Sequence, residues 1–515
     1  MVPSLEAVEE YLSACREDIS HSPTLLLSGQ NSLLSKLAPQ ARAELREAAW
    51  EYTRNYRDAP RPPKNVPIVL AGHQPQMFHP GVWCKNFLLS RLAQQGRATA
   101  INLVVDNDTL KGASLRVPGG SADNPQSLAV DFDAAEEPVA FEERRIADPA
   151  TFASFGQRAT EILAPFVEKP LLEDYWPMVQ RRSQETNRLG ECLAQARHQL
   201  EAAWGLQTLE LPLCVVCGLP AFHLFVSHLL NRGAEFRAVH NGALAAYRQV
   251  RRIRSTQHPV PELARDGDWF EAPFWVWTNE DTRRRRLFAR SAGRDWLLTD
   301  RGRWQTRLPA AVSQEGGPAL EALIELAQQG VKLRTRALTT TLWARLFLGD
   351  LFVHGIGGAK YDELTDDLIR AFFKVPPPRY LVATGTLRLP IAREQVTADD
   401  VLHLDAQLRD MRFHPEQFIA GEVASTEIAA KQAAVALPAN RASSKARGQA
   451  IRSANEALQP FLRALSEQKL AERSRLAARW RAEAVLASRE FGFPLFPICQ
   501  LKDFLLEFPS QKAYT

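Results

Sequence analysis

Residues 69–108 read VLAGHQPQMFHPGVWCKNFLLSRLAQQGRATAINLVVDND. An apolar run from Ile68 to Ala71 breaks at Gly72, and a polar, proline-bearing turn follows. A helical pattern begins near Val82, and a second apolar run, Ile101 to Val105, ends in Asp106-Asn107-Asp108. That order is strand, loop, helix, strand. In a parallel sheet such a unit brings the first loop and the end of the second strand to one rim, where open α/β sheets bind ligands. His73, Gln74, His79, Asp106 and Asp108 are therefore expected around one pocket.

Outward from this unit, short apolar runs (Leu213 to Val216, Tyr380 to Ala383) alternate with helical stretches of roughly 10–20 residues, the pattern of an α/β sheet. The expected fold is a Rossmann-like parallel-sheet core over residues 66–400, with an inserted α/β region at about 124–329. Residues 1–65 read as a helical lead-in, closed by Asp58-Ala-Pro-Arg-Pro-Pro, which continues neither helix nor sheet. Val117 to Ser127, rich in Gly and Ser, reads as a loop or a hairpin. From 401 to 489 the pattern becomes helical, with Ile451, Leu458, Leu462, Leu465 and Leu476 as an amphipathic stripe. A helical hairpin or coiled coil is expected there, kinked or interrupted at Pro460, with homodimer contacts along its apolar face. Residues 490–515, beginning EFGFPLFPICQLKDFLLEF, should return to the core.

Composition excludes several classes. A net charge of +4, from 63 basic and 59 acidic residues, gives no case for a nucleic-acid partner. The N-terminus is acidic, and no apolar run approaches the roughly 20 residues that span a bilayer. The expectation is a cytoplasmic protein with a small-molecule substrate and no membrane partner. Six cysteines in 515 residues suggest no disulfide framework. Cys214-Val-Val-Cys217 sits in a buried-strand pattern without a second ligand pair, so it reads as core thiols, and no residue is assigned as a metal ligand.

Each candidate group has a chemical reason. Gly72 and Gly81 would let backbone approach an anion at a helix start. His73 and His79 titrate near neutrality and suit base catalysis, while Lys85 could reach a phosphate or carboxylate. On an extended chain Asp106 and Asp108 share a face, and paired carboxylates hold Mg²⁺, bind sugar hydroxyls or exchange protons. His354-Gly355-Ile-Gly357-Gly358-Ala-Lys360-Tyr361 is a second glycine turn before a helix expected over Tyr361 to Phe373. Its amides would face an anion, or its glycines would serve close packing. Arg283 to Arg286, after Phe274-Trp-Val-Trp, reads as a solvated turn. His240-Asn241 and His258-Pro259 are candidate pocket residues with no distinguishing spacing.

Taken together, these motifs resemble the bacillithiol-biosynthesis cysteine-adding enzymes (BshC). That family opens on TGQQ, Leu-Phe, Gly-Pro, a Lys and Leu-Ala. This chain has Ala71-Gly72-His73-Gln74, Met77-Phe78, Pro80-Gly81, Lys85 and Leu92-Ala93 at similar spacing. Val105-Asp106-Asn107-Asp108 stands at the family's Glu-Asp-His-Asp cluster. Arg334 and Phe352 to Tyr361 stand at its Arg, helix, Tyr-Val and Gly-Pro-Gly-Glu turn. The likeness runs from about Val66 onward, and it departs at His73, Val105, Asn107 and Gly358. It implies a carbon–nitrogen ligase or transferase joining an amino acid or amine to a small, sugar-like or phosphorylated metabolite. A nucleotide, with or without Mg²⁺, would lie near Gly72 and Gly355. His73 would be the base, and Asp106 would orient it or bind metal. Two other readings are a noncatalytic ligand-binding or assembly protein on the same scaffold, and a sugar-nucleotide transferase whose metal is held by Asp106 and Asp108.

Overall fold

The computed structural model describes residues 7–8, 10–12, 32–94, 98–121, 124–310, 317–391, 396–420, 423–438 and 444–508. The chain forms β1 (Ile68–His73), β2 (Thr99–Val104), a hairpin of β3 (Ser114–Ser121) and β4 (Asn124–Asp131), and β5 (Leu209–Pro212). Then come β6 (Arg265–Asp266), β7 (Trp269–Thr278), β8 (Arg285–Ala292), β9 (Asp295–Thr299), β10 (Gln305–Pro309) and β11 (Val331–Thr335). The last two strands are β12 (Leu351–His354) and β13 (Tyr380–Val382).

Five strands form a fully parallel sheet in the order β13-β12-β1-β2-β5. Read from the β5 end and counted along the chain, this is third, second, first, fourth, fifth, the doubly wound Rossmann order, whose direction of progression reverses between β1 and β12. Its strands are apolar on both faces because helices cover both. Ile68, Leu70, Ile101, Leu103 and Phe352 enter one core, and Val69, Ala71, Ala100, Leu351 and Val353 the other. The helices Pro80–Gln94 and Ile498–Glu507 pack together on the second face. Phe491, Phe493, Leu495 and Phe496 are buried in that same core.

A second, antiparallel sheet runs β10-β9-β8-β7-β11, with β6 beside β7. Its β11 ends at Thr335 and passes straight into the helix Ala337–Trp343, which leads through a wider turn (Ala344–Leu348) into β12. The end of the antiparallel sheet is thereby fixed to the rim of the parallel one. The region expected as an insertion contains β5, a strand of the central sheet, along with most of the antiparallel one.

Several local expectations change. Leu213–Val216 is a short helical turn, not a strand, because Pro212 closes the β5 ladder and cannot donate to a further pair. The helix expected from Tyr361 begins at Ile356, so Gly357, Gly358 and Lys360 lie in its first turns. Asp106 to Asp108 form a turn and not an extended chain, beginning with the Asp106 amide donating to the Val104 carbonyl at 2.9 Å. Their side chains therefore diverge. Pro460 interrupts nothing: Ser444–Leu486 is one helix of 43 residues. Glu456, whose carbonyl loses its intrahelical donor, is exposed to water, as is Pro460 itself. The Leu458 and Leu462 stripe is buried, and its partners are the helices Ala398–Phe413 and Ser425–Ala436 of the same chain. Most of residues 1–31 lie outside the described residues. The rest of the lead-in is the helix Ser32–Arg54, packed on β5 and on Ala344–Leu348. No helix among the described residues is long and apolar enough to cross a membrane.

Candidate functional site

The rim of the parallel sheet meets the antiparallel sheet around a cavity of about 270 Å³. From the parallel side come Gln74, just past β1, and Asp108, past β2; from the antiparallel side come Trp275, Arg284 and Arg336. Asp108 is held on three sides. It accepts from Gln74 Nε2 at 2.9 Å, from the Thr109 amide at 2.8 Å and from Arg284 Nη1 at 3.1 Å. Partial burial works to raise its pKa, yet these donors outweigh burial and hold the carboxyl below the usual range. It is an anion at neutral pH.

Beside it, the guanidinium groups of Arg284 and Arg336 lie over the Trp275 ring, at 4.5 Å and 4.7 Å from its centroid. Cation–π contact holds both groups on the ring, and Arg336 also pairs with the fully buried Glu271, which accepts from Arg286 as well. Arg336 is the N-terminal flank of the helix Ala337–Trp343 and no side chain caps that helix. Ala337, Leu338 and Thr339 line the cavity at its first turn. Pro259, Val260, Pro261 and Leu263 supply an apolar wall, and His240 stands beside them. The cavity thus offers a carboxylate paired with Arg284, a second arginine, Arg336, and an apolar wall, which suits a small polar molecule carrying charge of both signs.

His73 ends β1 next to β2, its carbonyl accepting from the Val105 amide at 2.9 Å. Its ring turns away from the cavity, packing edge-on against Phe78 at 4.9 Å with Nδ1 at 3.2 Å from the Gln74 carbonyl. Burial first, and then the Lys85 charge, lower its pKa to about 3. The ring is neutral at pH 7 and a weak proton acceptor, so this site does not present His73 as a tuned general base. Asp106 is also off the cavity. It is buried and accepts from the Cys214 amide at 2.9 Å, and burial followed by Glu142 raises its carboxyl to about 7. His79 faces Glu490 at 4.0 Å, on the C-terminal segment.

The glycines divide by cause. A Cβ on Gly81 would stand 2.0 Å from the Gly385 carbonyl oxygen, and one on Gly72 would stand 3.3 Å from that of Leu103, so both positions serve packing. Lys85 is tied to the same strand, donating to the Gly72 carbonyl at 2.8 Å, and burial lowers it to about 8. On the other flank of the strand-order reversal, a Cβ on Gly355 or Gly357 would meet nothing within 4 Å; Gly358 alone abuts the His354 ring. His354 is locked, with Nε2 at 2.7 Å from Asp362, whose same oxygen accepts from Arg345 at 2.6 Å. The Lys360 carbonyl accepts from the Tyr247 hydroxyl at 2.9 Å, and Tyr361 packs edge-on against His258 at 5.5 Å.

Sequence reasoning brought Gln74 and Asp108 together and missed Trp275, Arg336 and the role of Arg284. The signal that could have found them is a Trp-rich strand followed by arginines, and Arg334-Thr-Arg336 closing another strand. In the structure Trp275 pairs across the ladder with both Arg286 and Arg334. No protein-family model matches the chain, and a search of curated proteins finds no match.

Proposed function

We propose that this chain is a carbon–nitrogen ligase or transferase that joins an amino acid or amine to a small anionic metabolite, as the BshC resemblance implies. The observation that carries the reading is that one cavity is lined both by the Asp108 carboxylate, bonded to Arg284, and by Arg336 over the Trp275 ring. In it the ammonium of the amine rests on Asp108 and Gln74. A carboxylate or phosphoryl oxygen meets Arg336 and the amides that open the helix Ala337–Trp343. The same amides and guanidinium groups would stabilise negative charge that develops on an acceptor oxygen during attack. A nucleotide or phosphorylated group takes the crevice where strand order reverses, with its phosphates at Gly355 and Gly357, where no side chain stands in the way. Gln74 and Asp108 remain from the sequence reading as binding groups, whereas His73, Asp106 and Lys85 shape the rim from behind. The protein works as a homodimer through the C-terminal helical arm.

The test is calorimetric binding of amino acids, sugar phosphates and nucleotides to wild type and to Asp108→Asn and Arg336→Gln. The expected result is that an amine or amino acid loses roughly 1–3 kcal/mol of affinity on Asp108→Asn, and an anion loses as much on Arg336→Gln. Binding of both classes unchanged in both variants would overturn the reading.

A further inference from the structure

A second polar cluster lies inside the molecule, on the face of β2 and β5 that the helices Pro80–Gln94 and Leu189–Ala203 cover. His198 and Glu201 stand three residues apart on the helix Leu189–Ala203 and so share one face, and Glu210 comes from β5. All three are fully buried, at 0% exposure. One oxygen of each carboxylate is saturated. Glu201 Oε1 accepts from Trp83 Nε1 at 2.5 Å, from Asn86 Nδ2 at 2.8 Å and from Arg197. Glu210 Oε1 accepts from Asn102 Nδ2 at 2.6 Å and from Arg197. The second oxygens, Glu201 Oε2 and Glu210 Oε2, are buried with no hydrogen-bond partner among the described residues. Leaving two carboxylate oxygens dry and unpaired is costly, and Arg197 alone offsets one of their two charges.

The histidine is oriented for the same spot. Its Nε2 lies 3.1 Å from the Thr208 carbonyl and 3.0 Å from the Thr208 hydroxyl, so the proton sits on Nε2 and Nδ1 carries the lone pair. A backbone carbonyl holding the far nitrogen is the usual support of a metal-bound imidazole. Nδ1 is 3.7 Å from Glu210 Oε2, and ligand atoms of all three residues lie within 4.8 Å of one another. Ligands about 2.0–2.2 Å from a shared ion are separated by up to about 4 Å, so small side-chain rotations complete the set. The Tyr56 hydroxyl, 2.6 Å from Nδ1, donates to that lone pair and would rotate off it when an ion binds. From this geometry we propose that His198, Glu201 and Glu210 bind one divalent first-row transition ion, with Zn²⁺ the best fit for a buried N,O,O set of low coordination number. The ion ties β5 to the helix Leu189–Ala203 and is structural, since the cluster lines no cavity described above.

The experiment uses the full chain, stripped by dialysis against a chelator and titrated with Zn²⁺ and, in a parallel arm, Mn²⁺. Wild type should bind one equivalent, counted by elemental analysis, and its thermal midpoint should rise on loading. Glu201→Gln and Glu210→Gln keep the Oε1 acceptor and replace Oε2 with an amide, so each should lower affinity at least tenfold at unchanged circular dichroism. X-ray absorption of the Zn²⁺-loaded wild type supplies a readout that needs no variant, with a first shell of N and O only and one imidazole. No bound ion in wild type, sulfur in the first shell, or affinity unchanged in both folded variants would overturn the proposal. The two oxygens would then share a proton or a water.

Discussion

Asp106 and Asp108 are two residues apart and electrostatically opposite, which follows from what surrounds each carboxyl. Asp108 has three donors and is ionised; Asp106 is buried beside Glu142 and is raised to about 7. In the unfolded chain Asp106 reverts to an ordinary carboxylic acid, so between about pH 4 and 7 the folded state binds the extra proton. Stability then falls as pH rises through that window, by up to about 1.4 kcal/mol per pH unit from this group, and the penalty is absent below pH 4. Asn at this position keeps the acceptor for the Cys214 amide and carries no charge. Asp106→Asn is therefore expected to flatten the stability profile between pH 4.5 and 7.5, measured by urea unfolding, and to equal or exceed wild type at the upper end. A variant that is less stable at pH 7.5 and keeps the wild-type slope would mean that Asp106 is ionised in the fold.

At the scale of elements, glycines that look alike in sequence do different work. Gly81 opens the helix Pro80–Gln94 against the Gly385 carbonyl, and Gly357 sits in the first turn of Ile356–Leu368 with open space around it. Gly81→Ala should cost about 3 kcal/mol or more, because backbone must move. Gly357→Ala should be neutral or stabilising by up to about 1 kcal/mol, as for alanine in place of glycine in a helix. If both changes cost the same in urea unfolding, packing around these turns has been misread. The two glycine turns were legible as helix starts, but their causes were not, since Gly385 lies some 300 residues from Gly81. The same limit governs the rest. Continuous apolar runs at Ile68 and Ile101 specify buried parallel strands locally, so the sheet could be read from sequence. The cavity's cationic wall joins Trp275 and Arg284, from the β7–β8 hairpin, to Arg336 after β11, and no local period records the meeting of those two places. A shared face for Asp106 and Asp108 requires an extended chain, and a turn separates them.

At the scale of the whole molecule, the proposed homodimer rests on the arm. The long helix Ser444–Leu486 spans about 65 Å at 1.5 Å per residue, and its inward stripe already has partners in the helices Ala398–Phe413 and Ser425–Ala436. The apolar periodicity that first suggested a dimer is thus satisfied within one chain. What remains for a second copy is a set of outward side chains along the arm, Leu402, Phe413, Phe461, Leu470 and Trp480, all exposed. A stable interface buries about 800 Å² per partner, which an arm of this length can supply only if several of these meet their counterparts across a twofold axis. The proposed homodimer therefore depends on them, and charge placed there should break it without touching the buried Leu458 and Leu462. In sedimentation equilibrium wild type is expected to show a dimer mass that falls on dilution. The double variant Leu470→Asp and Trp480→Asp should be monomeric with an unchanged circular dichroism spectrum. A wild-type chain that stays monomeric at every concentration removes the dimer and leaves the arm as an element packed on its own chain.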